Sequence, residues 1–161
     1  MPACGKSVTG VLLAKALRMK FVDADLLIQE TTGKSLQEII DQEGTDRFKK
    51  IEEQVLLSIN AENTVIATGG SAVYYPKAMA HLKENAVTVY IETPLEVVKE
   101  RLRNIKTRGV AMKKGQTLED LYRMRVPLYE RYEDVRVVSD HDSMEQTVAD
   151  ILSVLKDHEF R

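Results

Sequence analysis

The run Ala3-Cys4-Gly5-Lys6-Ser7 constrains this chain more than any other stretch. It leads straight into a segment, from Lys6 to about Met19, whose apolar residues, including Leu13, Ala16 and Leu17, recur at helical spacing. A glycine turn feeding a helix is the plan of a phosphate-binding loop. Gly5 lets the backbone approach a phosphate closely, and the N–H groups of the loop and first helical turn point at its oxygens. On this pattern Cys4, Gly5, Lys6, Ser7 and Val8 bind a nucleotide. Lys6 can reach the β- and γ-phosphates of a nucleotide, and the Ser7 hydroxyl can hold Mg²⁺. The full pattern is G-x-x-x-x-G-K-[ST]. Its first glycine would fall one residue before Met1.

The rest of the chain alternates strand and helix patterns. Lys20 to Asp23 is a short strand. Asp25 to Thr32 is helical and stops at Gly33, a C-cap. Ser35 with Glu38 forms a capping box that opens a helix to about Gln42. After a turn at Gly44, a helix from about Asp46 to Asn60 buries Phe48, Ile51, Val55 and Ile59. Thr64 to Ala67 is an apolar strand ending in Thr68-Gly69-Gly70-Ser71, a loop whose backbone can lie against a ligand. A helix from Pro76 to Glu84, a strand from Val87 to Ile91 and a helix from Pro94 to about Arg103 follow. Thr117 with Asp120 caps a helix reaching at least Met124. Val135 to Val138 is the last strand, and Ser143 starts a terminal helix with Val148, Ile151, Leu152 and Leu155 on one face. Such alternation predicts an α/β fold, a parallel sheet covered on both faces.

Composition narrows the function classes. A chain of 161 residues is enough for one domain with a sizeable core, since about 70% of the surface is buried at this size. A net charge of -2 and a pI near 6.0 argue against nucleic acid as the main partner. No apolar run approaches the roughly 20 residues of a membrane helix. The single cysteine, Cys4, cannot form an internal disulfide, which fits the cytoplasm. No Cys/His cluster suggests zinc. The expectation is a cytoplasmic monomer with small-molecule partners and no nucleic-acid or membrane partner.

Three further groups can carry chemistry. Asp23-Ala24-Asp25 closes the first strand, and alternate strand residues point the same way. Ligands of α/β sheets bind at the carboxyl ends of strands. Asp23 can then support Mg²⁺ beside Ser7 while Asp25 meets an acceptor hydroxyl. The alternative is a helix N-cap at Asp25 and a solvated Asp23. Phosphoryl transfer needs mainly alignment and charge neutralisation, with a carboxylate to accept the hydroxyl proton. From Arg101 to Lys114 there are six basic residues and no acidic one. That suits a lid over triphosphate. It also suits a solvated basic face or a nucleic-acid patch, although no aromatic residue is interleaved for base stacking. Arg125, just before Pro127-Leu128-Tyr129, is a carboxylate or phosphate clamp or a surface arginine.

Taken together these residues resemble shikimate kinase over nearly the whole chain, to about Leu155. The matching motifs are Gly5-Lys6-Ser7, Asp23-x-Asp25, Gly44-x-x-x-Phe48, Ala67-Thr68-Gly69-Gly70 and Arg125-x-Pro127-Leu128-Tyr129. The resemblance implies a three-layer α/β/α P-loop kinase fold over residues 1–161, with acceptor-binding helices at about 25–60 and a lid at about 105–116. It implies ATP-dependent phosphorylation of the 3-hydroxyl of shikimate on the way to chorismate and aromatic amino acids. Lys6 and Ser7 then hold phosphate and Mg²⁺, and Asp23 supports the metal through water. Asp25 binds the acceptor hydroxyl as the base. Gly69 and Gly70 back the acceptor, Arg125 pairs with its carboxylate, and Arg108 reaches the transferred phosphate.

The chain departs from the family at three places. Lys49 stands where an arginine is expected to grip the acceptor carboxylate, and a lysine lacks the bidentate fork. Ser71 replaces the third glycine of its loop. Arg108-Gly109-Val110 stands where Arg-Pro-Leu is usual. Two rivals therefore stay open: a related P-loop kinase with another hydroxylated acceptor, and a non-catalytic nucleotide-binding protein of the same fold. The resemblance also places an apolar strand before the phosphate loop, between the Thr64–Ala67 and Val87–Ile91 strands. The expectation is that the native chain starts upstream of Met1.

Overall fold

A computed structural model describes residues 1–103, 115–140 and 143–157. Gly5 opens α1 (Lys6–Leu17), and Arg18 closes it in the left-handed conformation. β1 (Lys20–Asp23) passes into α2 (Ala24–Thr32) without a loop. The reason is local: the Asp23 side chain accepts from the N–H groups of Asp25 and Leu26, an N-cap that turns the chain at once. Gly33 ends α2 at φ 67°. The Ser35–Glu38 capping box is complete at the start of α3 (Leu36–Glu43). After α4 (Thr45–Ser58) come β2 (Thr64–Ala67), a 3-10 turn (Ala72–Tyr74) and α5 (Pro76–Lys83). They are followed by β3 (Val89–Glu92), α6 (Leu95–Arg103), α7 (Leu118–Tyr132), β4 (Val135–Val138) and α8 (Met144–Asp157).

The start of β3 and the end of α4 differ from the pattern-based expectation, while α7 extends well beyond the minimum expected. β3 starts at Val89 rather than Val87. The Thr88 N–H is taken by the Asp134 side chain, and its carbonyl accepts from Asp134 and Val135, so the ladder begins one residue later. Ile59 is buried but caps α4 instead of extending it. α7 runs through Pro127 to Tyr132. A proline removes one intrahelical bond, but Pro127 faces solvent, and the packing of Leu121, Arg125 and Tyr129 carries the helix past it.

The strands form two parallel pairs, β1 with β2 and β3 with β4. Among the described residues β2 and β3 make no ladder with each other, so the sheet is interrupted there. Both faces are covered, as parallel strands require. Val22 and Ile66, register partners, point toward Leu56 of α4 and Ala78 and Met79 of α5. Val65, Val89 and Ile91 point the other way, toward Leu13 of α1 and Ile151 and Leu155 of α8. This is the expected three-layer α/β/α arrangement. Helices α2 to α4 carry a core of their own, Ile28, Ile39, Phe48, Ile51 and Val55. A fourth cluster, Met1, Cys4 and Val98, ties the loop before α1 to α6 and α7. Among the described residues no helix is long and apolar enough to cross a membrane.

Candidate active site

The phosphate-loop residues lie where α1 begins. Ala3 and Gly5 both have positive φ, 55° and 83°. A non-glycine residue held there marks a constrained backbone, and successive left-handed turns of this kind aim N–H groups into a concavity. Gly5 is favoured by its backbone. Its φ suits glycine, and a Cβ would lie 2.7 Å from the Met144 sulfur. Among the described residues no side chain caps α1, and its first turn holds no acidic residue. Its leading N–H groups are thus left to an anion. Lys6 Nζ donates to the Met1 carbonyl (2.7 Å) and to Cys4 Sγ (3.4 Å). Burial pushes the Cys4 thiol up, but the charge and hydrogen bonds of Lys6 pull it down, to about 7. The Cys4 side chain is turned into the cluster with Met1 and Val98, so its contact with any phosphate is through the main chain. Val8 is exposed beside it.

The acceptor side is built by three elements meeting at the loop after β2. Asp25 sits in the first turn of α2, not on the strand, because the Asp23 cap has already turned the chain. The strand-alternation account of the two carboxylates is thereby corrected, as is the N-cap placed at Asp25. Both residues nevertheless lie at the carboxyl end of β1, where the Asp25 N–H donates to Asp23 Oδ1. Asp23 uses Oδ1 for the cap; its Oδ2 makes no hydrogen bond with a described residue. Among the described residues no cluster of three His, Cys, Asp or Glu is arranged for a metal. Magnesium needs only one or two protein groups beside phosphates, and the hydroxyl of Ser7 and the carboxylate of Asp23 are oxygen donors of the kind it takes.

Glu52, on α4, was not singled out by the sequence. It is 1% exposed. Ser71 Oγ donates to both its oxygens at 2.7 Å, and Tyr75 Oη donates to Oε2 at 2.7 Å. A Cβ on Gly69 would stand 2.6 Å from Glu52 Oε1 and 3.1 Å from Asp25 Oδ1, so two carboxyl groups converge on this glycine. Burial raises the Glu52 proton affinity and Asp25 adds to it, against the hydroxyl donors and Arg125. The signal was present in the sequence: Glu52 shares the face of α4 that carries Phe48, Ile51 and Val55. A glutamate on an apolar stripe needs partners or a ligand.

Arg125, from α7, is 5% exposed and so is no surface arginine. Its Nη1 lies 2.8 Å from where a Gly70 Cβ would sit, and Nε donates to Tyr74 Oη. It makes no ion pair with a described residue. Tyr129, one turn on, donates to the Gly70 carbonyl at 2.7 Å and so pins the loop to α7. The structure therefore brings Asp25, Gly69, Gly70 and Arg125 together. Lys49 is half-buried on α4 and has no hydrogen-bond or ion-pair partner among the described residues. Arg108 and most of the region expected as a lid lie outside the described residues.

A family profile described as shikimate kinase matches residues 2–156 of this chain. The shikimate kinase of Haemophilus influenzae (strain PittEE) is 34% identical over 155 residues, covering 94% of this chain and 86% of that protein. Among solved structures, a shikimate kinase from Acinetobacter baumannii in complex with shikimate superposes with a TM-score of 0.88 at 28% identity. It covers 99% of this chain and 90% of that one. The shikimate kinase of Aquifex aeolicus gives 0.81 at 30% identity, covering 98% and 92%.

Proposed function

The chain belongs to the shikimate kinase family, and on that footing we propose that it transfers the γ-phosphoryl group of ATP to the 3-hydroxyl of shikimate. One observation carries the choice of acceptor. A buried arginine with no ion-pair partner among the described residues, Arg125, faces the same pair of glycines as the carboxylate of Asp25. A ligand bearing both a carboxylate and a hydroxyl satisfies the two at once, and shikimate is such a ligand.

In this reading the loop N–H groups and Lys6 bind the nucleotide phosphates. Ser7 and Asp23 would hold magnesium, which would neutralise phosphate charge. Arg125 orients the acceptor through its carboxylate, with Lys49 as a second cation. Gly69 and Gly70 back the ring, because any Cβ there would collide with Glu52 or Arg125. Asp25 takes the proton from the attacking hydroxyl. Helices α2 to α4 form the acceptor-binding region, residues 105–116 the lid, and Arg108 reaches the transferred phosphate. The single free cysteine supports a cytoplasmic location.

The test is a coupled ADP-release assay with and without shikimate. Shikimate-dependent release supports the assignment. Release with other hydroxylated acids and none with shikimate points to a different acceptor. Nucleotide binding without release under any acceptor points to a non-catalytic protein.

A further inference from the structure

Tyr74 belongs to the 3-10 turn that follows the two glycines, and no motif in the sequence drew attention to it. Its hydroxyl accepts from Arg125 Nε at 3.3 Å, and its ring lies under the guanidinium, 5.4 Å from centroid to Cζ. Both contacts act on one buried cation. An arginine can meet a carboxylate through two edges, Nε with one terminal nitrogen, or the two terminal nitrogens together. Here Nε is already occupied by Tyr74. Nη1 lies over Gly70 beside the Tyr129 hydroxyl, on the side where a ligand would be backed.

We propose that Tyr74 is a positioning residue: it fixes Arg125 so that the acceptor carboxylate pairs with the terminal Nη1–Nη2 edge over Gly70. This rests on the assignment of a carboxylate-bearing acceptor made above. Tyr74 does not touch the reacting atoms. Its effect reaches the substrate only through the angle of the guanidinium, so it sets selectivity for acidic over neutral acceptors.

The experiment uses the full chain and steady-state kinetics with shikimate, with its neutral carboxamide analogue, and with ATP varied separately. Tyr74→Phe keeps the ring and removes the hydroxyl. The expected result is a rise of about twofold to tenfold in the KM for shikimate, the scale of one lost hydrogen bond. The kcat and the KM for ATP stay as they were, and kcat/KM for the carboxamide stays unchanged. Tyr74→Leu removes the ring as well and should raise the shikimate KM further. In an Arg125→Lys background the Tyr74→Phe effect should vanish, since no Nε remains to hold. An unchanged shikimate KM in Tyr74→Phe, an equal loss for the carboxamide, or the same loss in the Arg125→Lys background overturns the proposal. If Tyr74→Leu fails to fold, Tyr74→Phe decides alone. If the wild-type chain turns over shikimate and Tyr74→Phe matches it, the positioning role falls and the kinase assignment stands. If the wild type does not turn over shikimate, both fall together.

Discussion

Gly69→Ala tests how tightly the acceptor side is built. The new Cβ would stand 2.6 Å from Glu52 Oε1 and 3.1 Å from Asp25 Oδ1. A free glutamate would swing aside cheaply. Glu52 is not free, because Ser71 and Tyr75 hold it through three contacts of 2.7 Å. Overpacking a fixed site costs about 1–3 kcal/mol. Breaking a hydrogen bond to a charged group costs about 1.5–3 kcal/mol, so either route of relief lands in the same range. For a domain of this size each kcal/mol moves Tm by roughly 2–4 °C, giving an expected fall of about 2–12 °C. Displaced carboxylates also misalign the acceptor, so its KM should rise by roughly tenfold or more while the ATP KM holds. Thermal melts and initial rates with each substrate varied give both readouts. Repeating the substitution in a Glu52→Asp background, where the shorter side chain leaves room, should shrink the loss of stability and give a measurable coupling energy. If Gly69→Ala melts within about 1 °C of wild type and binds the acceptor as well, Glu52 is not held as described.

Three other outcomes are expected. Asp25→Asn should lower kcat by roughly 10²-fold or more with the ATP KM unchanged, and near-normal turnover would remove Asp25 from the base role. Arg125→Ala and Lys49→Ala should each raise the acceptor KM by roughly tenfold to 150-fold and spare ATP; an unchanged value for Lys49→Ala makes it a surface lysine. Burial raises the pKa of Glu52 in the folded chain above its ordinary 4.5. Between those two values the folded chain keeps a proton that the unfolded chain has lost. Its contribution to stability is therefore full below pH 4.5 and declines as pH rises through the folded value. Urea unfolding from pH 4 to 8 should show Glu52→Gln flattening that decline, and parallel curves for the two proteins would refute the cause.

Much of this protein was legible without coordinates because the signals are local. The Ser35–Glu38 and Thr117–Asp120 boxes formed as read, since a cap needs only residues three apart. The Gly5-Lys6-Ser7 turn opened a helix as read, because glycine at positive φ followed by an apolar-periodic run has few other outcomes. The order of strands and helices followed from periodicity for the same reason.

The placement of side chains from distant segments was not legible. Asp23 and Asp25 looked like strand neighbours, and the fold put a helix cap between their roles, because one carboxylate hydrogen-bonded two N–H groups ahead of it. Arg125 could equally have faced solvent, until packing of α7 against the 3-10 turn buried it. Glu52 has partners 19 and 23 residues further along the chain. Sequence by itself determined which elements form and where a glycine turn opens α1, since those depend on contacts within a turn or two. Tertiary structure alone decided which carboxylates and which cation share one pair of glycines, because only close packing of α2, α4 and α7 on the loop after β2 brings such remote residues within hydrogen-bond reach.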